Sequence, residues 1–250
     1  MFDKYSNILT MILIFFVVAI CGIIGYFAYD LFNSNNINSN AQSAIDELDN
    51  ATQTVKKNKE KTNTTNTATN TNTAEALNVV SPLGELQNLT QNKIVEEPVV
   101  EEPANPEEEE RIEPEKVFME DYEVMGKIEI PKTGVEYPVL ERVTVRSIEI
   151  AVAIAYGPGL NEVGNTVIYG HNYRNGLFFS NNKKLNVGDR IFITDITGKR
   201  LSYTIYEKFE AEENYADYMV KDTQGAIEIA LSTCTDDSKA RLIILARADV

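Results

Sequence analysis

One cysteine and one histidine carry most of the chemistry that this sequence offers beyond its first apolar segment. Cys234 is the only cysteine besides Cys21, and His171 is the only histidine in the 250 residues. A thiolate that attacks and an imidazolium that protonates a leaving amine are the minimal pair for thiol catalysis. The alternative for each is a structural role, because a lone cysteine is usually an inert buried residue and a lone histidine usually has a satisfied environment. Taken together, the two residues indicate a catalytic pair.

Arg241 is the third candidate, and the predicted strands place it. Cys234 ends one predicted strand and Arg241 begins the next, with residues 235–240 as the connecting loop. Residues that flank a hairpin mouth lie on neighbouring strands about 4.8 Å apart. A permanently charged guanidinium there could hold a peptide carbonyl or a developing oxyanion. The alternative is an edge arginine that is paired with Asp236 or Asp237.

A zinc site is the competing use of the same two residues. Zinc needs at least three protein ligands, so one histidine and one cysteine would leave carboxylates to supply the rest. The ligand count therefore argues against zinc, and the sequence predicts no metal and no cofactor.

The charge distribution argues against a nucleic-acid partner. The chain has 23 basic and 38 acidic side chains and a net charge of -15. The segment from Val95 to Lys116 contains ten glutamates against two basic residues. Binding to phosphates needs clustered lysine and arginine, which are not found here.

The N-terminal segment is predicted to be a membrane anchor. Ile8 to Tyr29 contains no charged residue, and about 22 helical residues span roughly 33 Å, enough to cross a hydrocarbon core. A cleaved signal peptide is the alternative, but its apolar region is usually shorter. We expect a single-pass protein of the cell membrane, with a cytoplasmic N-terminus and everything after Asp30 outside the cell.

Three regions follow from the change in composition along the chain. Residues 1–31 are the predicted anchor, 32–117 a disordered stalk and 118–250 the catalytic domain. The stalk contains a polar Thr/Asn tract from Thr62 to Thr73 and then a segment rich in Glu and Pro, which bury too little apolar surface to fold. A weak helical pattern around Ala41 to Lys57 is the one exception.

The C-terminal region has the pattern of an all-β domain. Seven segments are predicted as strands, and residues 147–155 as a short helix. Seven or eight short strands with few helices are typical of a barrel or a sandwich. The predicted strands are Val124–Ile130, Val135–Leu140, Asn165–Tyr169, Arg190–Asp195, Leu201–Phe209, Ala226–Thr233 and Arg241–Ala246.

Four segments of this domain resemble the sortases of Gram-positive bacteria. Leu231-Ser232-Thr233-Cys234 is similar to the core of the T-L-x-T-C signature of that family, with Ala230 in place of its first threonine. Residues 165–172 resemble the segment that carries the histidine of the family. Residues 126–131 resemble its opening strand, and residues 187–189 a turn that is usual in it. Each segment alone is a modest signal. Their order, together with the single histidine and an arginine seven residues after the cysteine, makes the resemblance specific to this family.

The resemblance implies a fold and an activity. The fold is an eight-stranded sortase-like β-barrel, here preceded by a transmembrane helix and a disordered stalk. The activity is that of a cysteine transpeptidase, which cleaves a C-terminal sorting motif (LPxTG-like), forms a thioacyl-enzyme intermediate and transfers the protein to an amine. Cys234, His171 and Arg241 would be catalytic, and Thr233 and Ser232 would bind substrate.

The resemblance also implies partners. These are secreted proteins that carry the sorting motif, an amine acceptor (a peptidoglycan precursor or a pilin lysine) and the lipid membrane. Within the family, the short connection from Glu210 to Gly225 favours a class D-like or housekeeping-type enzyme.

Two alternatives stay open at this point. A surface cysteine peptidase would use the same residues and release proteins by hydrolysis. A non-catalytic surface-binding β-barrel would instead have a buried and unreactive Cys234.

Overall fold

The computed structural model of the protein describes residues 2–65 and 115–250. Its first element is the long helix α1 (Phe2–Thr65), and the C-terminal part contains nine strands, a short helix α2 (Val145–Ile150) and a 3₁₀ turn (Asn182–Lys184). The strands are β1 (Phe118–Met119), β2 (Tyr122–Ile130), β3 (Val135–Leu140), β4 (Val152–Tyr156), β5 (Gly164–Tyr169), β6 (Arg190–Asp195), β7 (Arg200–Glu212), β8 (Ile227–Cys234) and β9 (Ala240–Ala248).

Eight of these strands close into a barrel. Their order around the barrel is β2-β3-β4-β5-β8-β9-β7-β6, and β6 pairs again with β2. The β3–β4 and β5–β8 pairs are parallel, and the other pairs are antiparallel. Strand β1 adds two residues to β2 outside the ring. Closure removes the exposed sheet edges on which other chains could pair, and it confirms the predicted eight-stranded β-barrel.

Apolar residues at alternate positions build a core on each side of β8. Ile229 and Leu231 belong to the main core inside the barrel, whereas Ala230 belongs to a smaller cluster on its outer face. Alternation is expected because successive side chains of a strand point to opposite faces. The outer cluster includes Tyr218, from the segment between β7 and β8. Both faces of β8 are therefore covered until the strand ends at Cys234.

The main error in the predicted strands lies between β3 and β5. The sequence predicted one helix over residues 147–155, but the structure has α2 and then β4. The side chain of Thr144 accepts a hydrogen bond from the Ser147 amide, and the Ser147 side chain caps the Thr144 amide in return, which starts the helix early. β4 then pairs with β3 and β5. This pairing with neighbouring strands overrides the local preference of these residues for a helix.

The part of the predicted stalk that the structure describes is helical, and over Ala41 to Lys57 this agrees with the weak helical pattern of the sequence. Helix α1 continues to Thr65, and from Ala41 to Ala51 one stripe of its side chains is buried. The stripe has helical spacing, and its burial offsets the entropy lost on ordering. Residues 66–114, which contain most of the predicted stalk, lie outside the described residues. The buried stripe consists of Ala41, Ala44, Ile45, Leu48 and Ala51.

Three contacts fix this part of α1 on the barrel. The Tyr137 hydroxyl of β3 donates to Asn38 Oδ1 at 2.8 Å. Lys127 Nζ of β2 donates to Asp49 Oδ2 at 2.7 Å. At the β6–β7 turn, a Cβ on Gly198 would lie 2.9 Å from Lys56 Cε, so the absence of a side chain lets the helix approach. We call residues 37–56 the docked segment of α1.

The N-terminal part of α1 presents apolar side chains to its surroundings. Side chains from Leu9 to Phe32 are largely exposed, and many of them are large and apolar. By length and composition, α1 is the one helix among the described residues that could cross a membrane. This agrees with the predicted N-terminal apolar helix.

Candidate active site

Cys234 and Arg241 lie directly opposite each other at the open end of the β8–β9 hairpin. They are register partners in the antiparallel pair, and Arg241 Nη1 donates a hydrogen bond to Cys234 Sγ. Cys234 is partly exposed. The hairpin therefore places the guanidinium against the thiol, as its spacing in the sequence predicted.

His171 reaches the same place from the neighbouring strand. Tyr169 of β5 pairs with Ser232 of β8, and the Gly170 amide donates to the Ser232 carbonyl at 3.2 Å. His171 therefore comes level with Cys234 in the parallel pair. A Cβ on Gly170 would lie 2.7 Å from the Phe179 ring, so this position needs glycine. Histidine, cysteine and arginine thus meet across three adjacent strands.

The surroundings of His171 favour its neutral form. Burial is the main cause that lowers the pKa of the imidazole, and the positive charge of Arg241 lowers this pKa further. The carboxylate of Glu149 on α2 acts in the opposite direction. Because the net shift is downward from 6.5, His171 is mostly neutral at neutral pH and can accept a proton.

Two residues that directly follow His171 also belong to the site, and the sequence reasoning missed both. Asn172 Nδ2 donates to the Cys234 carbonyl and to Asp236 Oδ1, each at 3.0 Å. The Tyr173 ring stacks on the imidazole with a centroid distance of 4.6 Å and an interplanar angle of 29°. Their position next to the only histidine was the one available signal.

Arg241 has a carboxylate partner that differs from those considered for an edge arginine. Its Nη2 donates to Glu213 Oε1 at 2.7 Å, while Nη1 contacts the thiol. Asp236 is paired instead with Lys183 at 2.6 Å. The Glu213 side chain is 75% exposed, so this ion pair is open to solvent and to a substrate.

Arg247 belongs to a different cluster at the far end of β9. It is opposite Glu228 in the register, and its Nε and Nη2 donate to Glu228 Oε1 at 2.9 and 2.7 Å. Glu228 is 1% exposed and also contacts Tyr206 and Lys221. Arg247 therefore compensates a buried carboxylate and does not approach Cys234.

Ser232 and Thr233, the predicted substrate-binding residues, are buried beside the thiol. Ser232 lies on the same face of β8 as Cys234, and its side chain bonds to Tyr218. The Thr233 hydroxyl has no hydrogen-bond partner among the described residues. Their contact with substrate stays a prediction.

A cavity of about 310 Å³ opens beside Cys234. Three carboxylates line it, Glu210, Asp236 and Asp237, together with Lys183. The cavity is therefore acidic on balance and suits a cationic group. Within residues 2–65 and 115–250, no cluster of three or more metal-binding side chains of the His, Cys, Asp and Glu types is present.

Comparisons with known proteins agree on one family. Residues 128–249 match the Sortase domain family model. Sortase A of Bacillus anthracis is 29% identical over 133 residues, which cover 49% of this chain and 58% of that protein. The chain thus spans less than two thirds of that relative.

Solved structures of sortases are also similar. A Clostridium perfringens Sortase D5 transpeptidase is 30% identical, with 51% of this chain and 79% of that chain covered and a TM-score of 0.47. A lid mutant of sortase A from Corynebacterium diphtheriae is 24% identical, with 52% and 72% covered and a TM-score of 0.48. The family-model match covers nearly all of the barrel and includes Cys234, His171 and Arg241. Through this domain, the chain belongs to the sortase family.

Proposed function

We propose that the protein is a membrane-anchored cysteine transpeptidase that cleaves an LPxTG-like sorting motif near the C-terminus of secreted proteins. The observation that carries the proposal is the meeting of Cys234, His171 and Arg241 on three adjacent strands of a sortase barrel. Similarity to the sortase family supports this substrate class. Acylation makes Cys234 a thioester, and an amine of a cell-wall precursor or pilin then accepts the acyl group.

The proton transfers follow from the neutral state of His171. The imidazole takes the thiol proton of Cys234 as the sulfur attacks the scissile carbonyl, and a C–S bond forms. The imidazolium then gives this proton to the leaving amine as the C–N bond breaks. The guanidinium of Arg241, already in contact with the sulfur, stabilises the negative charge that develops on the carbonyl oxygen.

The acidic cavity beside Cys234 supports an amine as the second substrate. An incoming ammonium group is attracted by Glu210 and Asp237, which line the cavity together with Cys234. The ammonium first loses a proton to solvent, and the neutral amine then attacks the thioester carbonyl and gives its second proton to the imidazole of His171, which passes it to the departing sulfur of Cys234. The C–N bond forms, the C–S bond breaks and Cys234 is released. Hydrolysis would need no such acidic surroundings, so the cavity favours transfer over a peptidase.

The apolar part of α1 supports a position at the cell membrane. Its exposed side chains from Leu9 to Phe32 suit the hydrocarbon core. A cytoplasmic N-terminus then places the barrel on the extracellular side, where secreted substrates and wall precursors are found.

One experiment tests the activity and separates transfer from hydrolysis. The full chain is incubated with a fluorescent LPxTG-like peptide, with and without a glycine-based amine acceptor. Wild type should form a peptide adduct on Cys234 in mass spectra and give an aminolysis product when the acceptor is present. Cys234→Ala should form no adduct. His171→Ala should react several orders of magnitude more slowly than wild type, and the lost proton transfer alone should account for at least ~10²-fold. An adduct on another residue, or an active Cys234→Ala, contradicts the proposal.

Thiol labelling tests the remaining alternative, a non-catalytic barrel. That alternative requires a buried Cys234, whereas the side chain is partly exposed. In a Cys21→Ser background, the folded protein should react with a maleimide at one site. Failure to label before unfolding would favour the binding module.

A further inference from the structure

A row of three aromatic rings runs from His171 into the barrel. The Tyr173 ring stacks on the imidazole at 4.6 Å, and its other neighbour is Phe178 at 5.8 Å. Phe178 is next to Tyr137 of β3 at 4.9 Å. We call Tyr137, Phe178 and Tyr173 the ring row. Contacts at these centroid distances are favourable beyond the burial of area, so the rings hold one another and the imidazole in place.

The backbone that carries the ring row is also tied to His171. The Phe179 amide donates to the His171 carbonyl at 3.1 Å, and the Tyr173 amide donates to Ser180 Oγ at 3.1 Å. Phe178 is fully buried and has a φ of 49°. For a bulky residue this left-handed conformation is strained and persists only where packing imposes it. The ring of Phe178 is therefore held firmly enough to maintain the loop from His171 to Ser180.

Helix α1 contacts the inner end of this row. The Tyr137 hydroxyl donates to Asn38 Oδ1 of the docked segment. The ring of the same Tyr137 lies against the Phe178 ring at 4.9 Å, so this side chain links the helix to the residue in the strained conformation. A continuous series of contacts thus connects the helix that leaves the candidate membrane span with the imidazole.

We propose that the ring row is a positioning device for His171, and that the docked segment of α1 completes it through Asn38. Tyr173, Phe178, Tyr137 and Asn38 are positioning residues, because they act on the reaction through His171. Their effect on catalysis rests on the proposed function, but their effect on the imidazole does not. The membrane-proximal helix is, on this proposal, part of what orients the proton-transfer group.

The single histidine makes a direct measurement possible. The untagged full chain, labelled with ¹³C at histidine Cε1 and held in detergent micelles, gives one imidazole signal, that of His171. Its chemical shift reports the ring stacking, and its titration reports the protonation of the imidazole. The charged or titratable groups that surround it are Glu149 of α2, Arg241 of β9, Tyr173 and Cys234. Of these four, only Tyr173 is substituted in the variants below.

Tyr173→Ala should move the signal and raise the titration midpoint, because the imidazole loses its stacked cover and gains water. Tyr173→Phe keeps the ring and should restore the wild-type signal. On a sorting peptide, Tyr173→Ala should lower kcat about tenfold with little change in KM, since misplacing a catalytic group by about 1 Å costs up to ~10²-fold. Tyr173 is 40% exposed, so this variant should still fold.

The contact between α1 and the ring row is tested by Asn38→Ala and Tyr137→Phe. Each substitution removes one partner of the hydrogen bond between these two side chains. Both variants should change the chemical shift of the His171 signal in the same direction as Tyr173→Ala does, but by a smaller amount. Gln42→Ala is the control on the exposed side of the same helix. Tyr203→Phe is the matched control for a buried phenol, because it loses a comparable bond to Asn161 at 2.9 Å away from the ring row. Neither control should move the signal.

The outcomes separate this proposal from the proposed function. If Tyr173→Ala leaves the signal and its titration unchanged in a folded protein, the ring row does not position His171. If Tyr173→Ala shifts the signal but Asn38→Ala and Tyr137→Phe do not, α1 has no part in it, and the proposal is overturned. If wild type forms no adduct on Cys234, the transpeptidase assignment fails while the imidazole measurements still decide the positioning.

Discussion

At Cys234, the planar guanidinium of Arg241 serves two partners at once. One terminal nitrogen contacts the thiol and the other contacts Glu213. A lysine ammonium has the same charge but lacks the fixed fork that directs donors toward two groups. The arrangement therefore depends on the shape of the side chain as well as on its charge.

The first prediction compares Arg241→Lys with Arg247→Lys. Arg241→Lys should lower kcat/KM on a sorting peptide by roughly 10²-fold, the usual cost of losing a donor to a developing oxyanion. Arg247→Lys should be close to wild type in rate, because Arg247 bonds to buried Glu228 at the other end of β9. Thermal melts check that both variants fold. If Arg247→Lys were the impaired variant, the oxyanion role would have to move to Arg247.

The second prediction concerns pH. In the proposed mechanism the neutral imidazole of His171 is the base, so kcat/KM should rise with pH through the pKa of that group. Because burial and Arg241 lower this pKa, the acid limb should have its midpoint below 6.5. The unfolded chain binds the proton more readily, so the same group should also reduce stability as the pH falls through this window. A pH–rate profile with an acid midpoint at or above 6.5 would contradict the assignment.

At the scale of elements, Asn172 joins the loop after β5 to the loop after β8. Its amide contacts both the backbone of Cys234 and the side chain of Asp236. Lys183 and then Asn172 hold the pKa of the Asp236 carboxyl below its usual range, so the cluster keeps its negative charge under mildly acidic conditions. One side chain therefore links the loop that carries His171 to Cys234, the last residue of β8, and to the loop that follows it.

The third prediction follows from this link. Asn172→Ala should lower kcat/KM about tenfold, because the end of β8 at Cys234 is held less firmly. The melting temperature should change little, because the lost hydrogen bonds lie near the surface. Asn186→Ala, at an exposed asparagine in the turn before β6, is the matched control and should behave as wild type. Equal activity of Asn172→Ala and Asn186→Ala would show that the link does not matter for catalysis.

The same elements show what the sequence could and could not predict. The β8–β9 hairpin was predictable because alternation, a short loop and one cysteine fixed its position. Strand β4 was not, because its five residues gain strand geometry only from pairing with β3 and β5. The stacking of Tyr173 and the contact of Glu213 with Arg241 arise from loops, whose course periodicity does not predict.

For the molecule as a whole, the continuity of α1 brings the barrel close to the candidate membrane span. The exposed apolar side chains end at Phe32, and Ile37 already packs against the barrel core. Five helical residues rise only about 7.5 Å. The polar Thr/Asn tract and the Glu/Pro segment further along the chain predicted a spacer here, and the apolar stripe was visible in the sequence only as a weak helical pattern. The continuous helix therefore holds the barrel near the candidate membrane span.

The last prediction tests whether the docked segment belongs to the folded domain. Two chains that lack the apolar segment are compared, one starting at Asn33 and one at Glu115. The shorter chain should melt at a lower temperature and tend to aggregate, because it exposes the surface that α1 covers. In the longer chain, Leu48→Ala should reduce the free energy of unfolding by about 2–5 kcal/mol, since Leu48 is 1% exposed.

Gln53→Ala, at an exposed position on the same helix, is the control and should change stability by less than about 0.5 kcal/mol. Urea unfolding of the three longer chains gives the free energies, and peptide cleavage by the two wild-type lengths gives their activities. The domain boundary expected from composition, at residue 118, predicts instead that both lengths are equally stable and equally active. That result would leave α1 as an anchor with no structural part in the barrel, because an interface that contributes to folding cannot be removed without loss of stability.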